Sequence, residues 1–166
     1  MQSGPYRVFD FVQVQVQVQV EQLTVQSARQ HFEAETARIK EKLEQRVPGD
    51  ERKAMVVIDS TRCDIRPDSM VRQVQSDWMK ENTELLRVVS GGLAFVVQND
   101  LLRGALTAIL WAAPMPMPVT VHERLDLAID HAIGEVARNN WGDVSPELLM
   151  GGAMMVERLV AESGAA

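Results

Sequence analysis

The chain has 166 residues, 46% hydrophobic and 24% charged, with a net charge of −6. That length suits one domain able to bury a core without covalent staples, and no lysine/arginine cluster offers the basic face a phosphate backbone requires, so nucleic acid is not an expected partner. A single cysteine, Cys63, excludes an internal disulfide and a cysteine-based zinc cluster, and His31, His122 and His131 include no pair at helical ligand spacing; no metal and no cofactor are expected.

Met1 to Pro5 carries neither a basic nor an apolar leader segment, and the longest apolar stretch, Gly104 to Pro118, is broken by Thr107 and three prolines. A reduced, cytoplasmic protein without a transmembrane segment is the expectation. From Val8 to Val20 the residues alternate: Val12, Val14, Val16, Val18 and Val20 point one way, Gln13, Gln15, Gln17 and Gln19 the other. This period of two predicts a half-buried strand, and its thirteen residues call for a bend or bulge. Thr24 fits as an N-cap, and Val25, Ala28, Phe32, Thr36, Ile39 and Leu43 continue at helical spacing until Pro48-Gly49.

Ala54 to Ile58 is a continuous apolar run, as a strand covered on both faces requires. Pro67 and Asp68 open a second helix bearing Val71, Val74, Trp78, Leu85 and Val89, which Gly91-Gly92 ends. Leu93 to Val97 is another buried strand, Asn99 or Asp100 caps a helix to Ala112, and Pro114, Pro116 and Pro118 stiffen the loop before a small strand, Val119 to Val121. A further helix carries Leu125, Ala128, Ile129, Ala132 and Val136. Ser145-Pro146-Glu147 then starts a last helix with a weak stripe at Leu148, Met155 and Leu159.

Alternating strands and helices imply an α/β fold, a mostly parallel or mixed sheet of four to five strands covered by helices. Residues 1–139 form that domain; 140–166 are a helical extension that docks on it or on a second copy.

Two stretches carry a resemblance. Met55-Val56-Val57-Ile58-Asp59, followed by a loop and a helix with arginine and tryptophan, and Gly92 to Val97 with Leu102 to Trp111, resemble bacterial STAS-like proteins similar to anti-sigma-factor antagonists. The resemblance covers roughly residues 8–138 and implies a non-enzymatic signalling role, binding a kinase-like or other protein partner. In phospho-switched members an Asp-Ser-Ser-Gly motif opens the helix after the central strand. Here Pro67-Asp68-Ser69-Met70 stands at that place, so only Ser69 matches a serine of the motif, and Asp68 also reads as a helix cap.

Ligands of open parallel sheets bind beyond the carboxyl ends of the strands. That rim collects Asp59, Thr61, Arg62, Arg66, Asp68, Ser69, Asn99 and Arg103, the expected partner-binding residues. Arg103 either anchors an acidic partner or pairs with Asp59 or Asp100. A cation held by Asp59, Ser60, Asp64 and Asp68 is disfavoured by Arg62 and Arg66 and by the lack of a spaced acidic loop. Cys63 lies between arginines, which lower a thiol pKa, but no histidine is near in sequence to serve it as a base. No nucleophile–base pair is assembled, and no enzyme is expected.

Two features stay open. Gln13, Gln15, Gln17 and Gln19 either meet a second copy across an unblunted edge, giving a homodimer, or lie under a helix or the C-terminal extension of an inner strand. Leu101 to Pro118, with Trp111, Met115 and Met117, is either ordinary core or the lining of a pocket for a small apolar, lipid-like ligand, which makes a carrier or sensor the alternative function.

Overall fold

The computed structural model describes residues 5–62, 68–112 and 115–163, side chains at 105 and 108–112 excepted. The chain runs β1 (Tyr6–Phe11), β2 (Val14–Gln19), α1 (Val25–Glu44), β3 (Ala54–Asp59), α2 (Ser69–Glu81), α3 (Thr83–Val89), β4 (Ser90–Val96), α4 (Asp100–Ala112), β5 (Val119–His122), α5 (Leu125–Arg138) and α6 (Pro146–Glu162). The five strands lie in the order β1-β2-β3-β4-β5; β1 is antiparallel to β2 and the remaining pairs are parallel. The α/β architecture with a mixed sheet is thus as the strand–helix alternation predicts.

The alternating segment is not one long strand. Val12 and Gln13 both take positive φ, 39° and 61°, and fold it into a two-residue hairpin with Phe11 opposite Val14. Primed turns of this kind favour asparagine or glycine, and a valine there is strained, so no turn signal marks the fold-back. The consequence is that β2 is an inner strand, paired with β1 on one edge and β3 on the other.

Caps set the helix starts. Thr24 and Ser27 form a reciprocal capping box, the Ser27 N–H donating to Thr24 Oγ1 at 3.1 Å. Asp68 Oδ1 accepts from the Met70 N–H at 2.9 Å, and Ser145 Oγ from the Leu148 N–H at 3.2 Å. The second helix does not continue to Gly91: Asn82 donates its side chain to the Trp78 carbonyl and divides α2 from α3, while Gly91 and Gly92 belong to β4.

The two faces of the sheet are packed differently. Val14, Val16 and Val18, with Met55, Val57, Ala94 and Val96, meet Ile129, Ile133 and Val136 of α5, all buried. Full burial of such side chains contributes roughly 1.5–3 kcal/mol each. α6 covers α5 through Ala153, Val156 and Val160, so the C-terminal helix docks on its own chain. On the opposite face a smaller cluster joins Ile39, Leu86 and Met117 with Trp78, Met79 and Leu93. There α1 and α2 pack on each other, and much of the sheet behind them faces a cavity. Among the described residues no helix is long and apolar enough to cross a membrane.

Candidate functional site

The carboxyl rim gathers most of the residues nominated from sequence, each held by local contacts. Asp59 ends β3 almost fully buried, and its Oδ1 accepts from the Thr61 N–H at 2.9 Å and the Thr61 hydroxyl at 2.7 Å. Arg62 approaches the other carboxylate oxygen at 3.7 Å. Asp68 caps α2, and the Ser69 hydroxyl donates back to it at 3.3 Å. Asn99 Oδ1 accepts from the N–H groups of Leu101 and Leu102, capping α4. Arg103 pairs with Asp100, donates to the Val97 carbonyl at 3.3 Å, and lies 3.9 Å from Glu123; it does not pair with Asp59. Arg66, Cys63 and Asp64 lie outside the described residues. Among the described residues no cluster of histidine, cysteine and carboxylates has the makings of a metal site.

The glutamine row does not lie along an open sheet edge. Gln15, Gln17 and Gln19 are only 3–4% exposed, because β2 is hydrogen-bonded on both edges and α1 covers that face. Gln13 sits in the hairpin turn. Of the two alternatives read from sequence, β2 has the inner-strand position, and its three buried glutamines face the helical side of the sheet.

What these glutamines face is a cavity of about 520 Å³ between the sheet and the helical layer. Helix α1 presents it with two parallel stripes. His31, Glu35, Arg38 and Lys42 run along the side next to β1 and β2, while Phe32, Ile39 and Leu43 run along the side next to α2 and the inner strands. Val56, Ile58, Leu93, Met79 and Val89 continue the apolar wall. Phe32 stacks on Trp78 with ring centroids 4.9 Å apart, and the Trp78 indole N–H donates to Thr36 Oγ1 at 2.8 Å, closing the α1–α2 seam.

The polar wall is one connected network. Arg38 Nη2 donates to Gln15 Oε1 and Glu35 Oε1, both at 2.6 Å, and Nη1 donates to Asp10 Oδ1 at 3.1 Å. Lys42 Nζ lies 3.8 Å from the same Asp10 oxygen. Gln15 Nε2 donates to Asp10 at 3.1 Å, and Gln17 Nε2 donates to Gln15 Oε1 at 2.9 Å. The His31 ring packs at a tilt against Tyr6, centroids 4.4 Å apart; burial pushes its pKa below the ordinary value, and nearby Glu35 only partly offsets this.

At the amino ends of the parallel strands Lys42, Gln45 and Arg52 are exposed at the cavity edge, so the mouth lies opposite the rim nominated from sequence. Arg52 holds the Asp50 carboxyl well below the usual carboxylate range through side-chain and backbone hydrogen bonds. The apolar pocket expected at Leu101 to Pro118 meets this cavity at Met117; Met115 is not in its lining, and the side chain of Trp111 lies outside the described residues. Asp10, Glu35 and Arg38 were missed. Their signal is a charged stripe at positions 31, 35, 38 and 42 beside the apolar stripe of the same helix, legible only once the glutamine row is known to face it.

A scan against protein-family models and searches of curated proteins and of solved structures return no match.

Proposed function

We propose that the protein is a non-catalytic binder, a carrier or sensor, of a small ligand whose apolar body lies between α1, α2 and the sheet. The observation that carries this reading is the cavity of about 520 Å³ with one polar and one apolar wall, within the roughly 300–1,000 Å³ usual for small-molecule sites. A well-packed interior leaves few voids larger than a water, and a space of this size between the sheet and its helices forgoes a large amount of dispersion energy. Binding rather than turnover is favoured because the polar groups are carboxamides and matched ion pairs, already bonded to one another. The test is titration with the neutral fluorophore N-phenyl-1-naphthylamine, followed by native mass spectrometry of protein purified from its source. Saturable one-to-one fluorescence enhancement, lost when Val56→Trp fills the cavity from β3, is the expected result; no saturable binding and no co-purifying molecule would defeat the proposal.

A second reading is favoured by a separate observation. Leu101 and Leu102 are 82% and 55% exposed, and Met70 is 58% exposed, beside Asn99, Asp68 and Ser69. Apolar side chains grouped at a polar rim suit a protein partner, the role implied by the resemblance to STAS-like proteins. A partner recovered with the native chain and lost with Leu101→Asp/Leu102→Asp supports it. Equal recovery with both chains refutes it.

A further inference from the structure

We infer that the ligand presents a neutral N–H/C=O edge (an amide, lactam or imide) and that Gln17 reads it; this rests on the cavity reading above. Gln15 is used up. Its oxygen accepts from Gln17 and Arg38, and its nitrogen donates to Asp10. Gln17 is not: its nitrogen donates one hydrogen bond, to Gln15, and its Oε1 accepts none from any described residue. Yet the residue is only 4% exposed and lines the cavity. A carboxamide carries two N–H donors and an oxygen with two lone pairs, so Gln17 keeps one donor and its whole acceptor for the cavity. Among the described residues the buried side-chain atom left without a partner is Arg38 Nε; Gln17 Oε1 instead opens onto the cavity, where water or a ligand meets it.

The group is also held in place. Gln17 is tied to Gln15, which Arg38 and Asp10 fix from two sides. Pre-orientation of this kind reduces the ordering cost of binding. Charge then selects the head group. Beside Gln17, on the polar wall, Asp10 and Glu35 face Arg38 and Lys42, two negative against two positive; Arg46, which bonds the Arg52 carbonyl, is the one cation of the described lining in excess, and it stands with Arg52 and Asp50 rather than in the Gln17 network. A carboxylate moreover has no hydrogen to give Gln17 Oε1. An amide N–H has, and its neighbouring carbonyl accepts from the spare N–H of Gln17. The opposite wall of Val56, Ile58, Trp78, Met79 and Leu93 takes the apolar edge of the same molecule.

Three nearly isosteric probes separate the outcomes by isothermal titration on the full chain: 2-naphthamide, which donates and accepts; 2-acetonaphthone, which only accepts; and 2-naphthoate, which is ionised. The amide is expected to bind about tenfold more tightly than the ketone, with the naphthoate weakest. Gln17→Met should remove the gap, weakening the amide by more than the ketone, which loses only the bond from the Gln17 N–H. Amide and ketone binding equally to the native chain, as when Gln17 merely keeps a water, overturns the inference while leaving the cavity reading intact; so does a naphthoate that binds best. If none of the three binds, the cavity reading falls with it. The affinity ratio on the native chain decides even if the variant does not fold.

Discussion

Replacing Arg38 with methionine isolates the electrostatics of the polar wall, because methionine keeps most of the apolar stem and removes only the guanidinium. Three acceptors lose a donor: Glu35, Asp10 and Gln15. Gln15 Oε1 still accepts from Gln17, and Asp10, with a side chain 52% exposed, is resolvated by water. Such exposed pairs contribute about 0.2–1 kcal/mol. Glu35 is the costly one, its side chain only 14% exposed. Stranding a fully buried charge costs about 3–5 kcal/mol; partial exposure of both partners brings this nearer 2. Arg38→Met should therefore lower stability by about 2–3 kcal/mol. Glu35→Gln in the same chain removes the stranded charge, and the double variant should recover more than half of the loss, a coupling of at least about 1 kcal/mol. Equilibrium urea unfolding with an unchanged slope reads these numbers directly. A loss under about 0.5 kcal/mol for Arg38→Met, or strict additivity in the double variant, would refute the network as described.

Gly91 and the histidines give two further tests. A Cβ on Gly91 would stand 2.1 Å from Cζ3 of Trp141, whose backbone N–H donates to the Val136 carbonyl at 3.0 Å. Ordinary carbon contacts lie at roughly 3.5–4.0 Å, so Gly91→Ala should cost about 2 kcal/mol by overpacking. The cost should vanish in a Trp141→Leu background, and a cost that persists there would show that the glycine serves something other than the ring. For His31 and His122, burial lowers the folded-state pKa below the ordinary 6.5. The unfolded chain then binds protons first as pH falls, so stability is full above pH 6.5 and declines as the pH drops through it toward the folded values. Urea midpoints measured between about pH 7.5 and 5 should fall, and the slope should flatten in His31→Phe; an unaltered slope would remove His31 from the account.

The legible parts of this fold are those written in local chemistry. Thr24, Asp68 and Ser145 announce helix starts because a side-chain oxygen three or fewer residues away must satisfy free amides. The valine alternation announces a buried face because the pleat has a period of two. What escaped reading depends on residues far apart in the chain. Val12-Gln13 turns the hairpin without a turn residue, and Gly91, which resembles a helix stop, is small because Trp141 packs on it from fifty residues away. The cavity is less legible still. It is a separation between layers, and no residue type encodes a separation. The glutamine row hinted at it only in that amides on an inner strand must find partners, and which partners they find depends on how α1 crosses the hairpin.

That row also explains why one face of the sheet closes and the other does not. Valines let α5 settle directly onto β2, β3 and β4, since methyl groups need nothing but contact. Glutamines at the same strand need hydrogen bonds, and Arg38 of α1, held by Glu35, and Asp10 of β1 supply them at one side of the gap between helix and sheet. If Gln17 were there for stability, its removal would weaken the fold. That is not expected. Gln17→Met removes an acceptor that no described residue meets and that faces the cavity, and leaves Gln15 its bond from Arg38. Water in the cavity meets that oxygen, so its removal gains little; the lost Gln17–Gln15 bond is worth about 1 kcal/mol and the apolar methionine side chain offsets it, so the variant should stay within about 1 kcal/mol of the native chain in urea. A binding residue that adds nothing to stability is what a ligand site predicts. A loss above about 1 kcal/mol would instead make Gln17 a structural strut, and the amide reading would lose its reader.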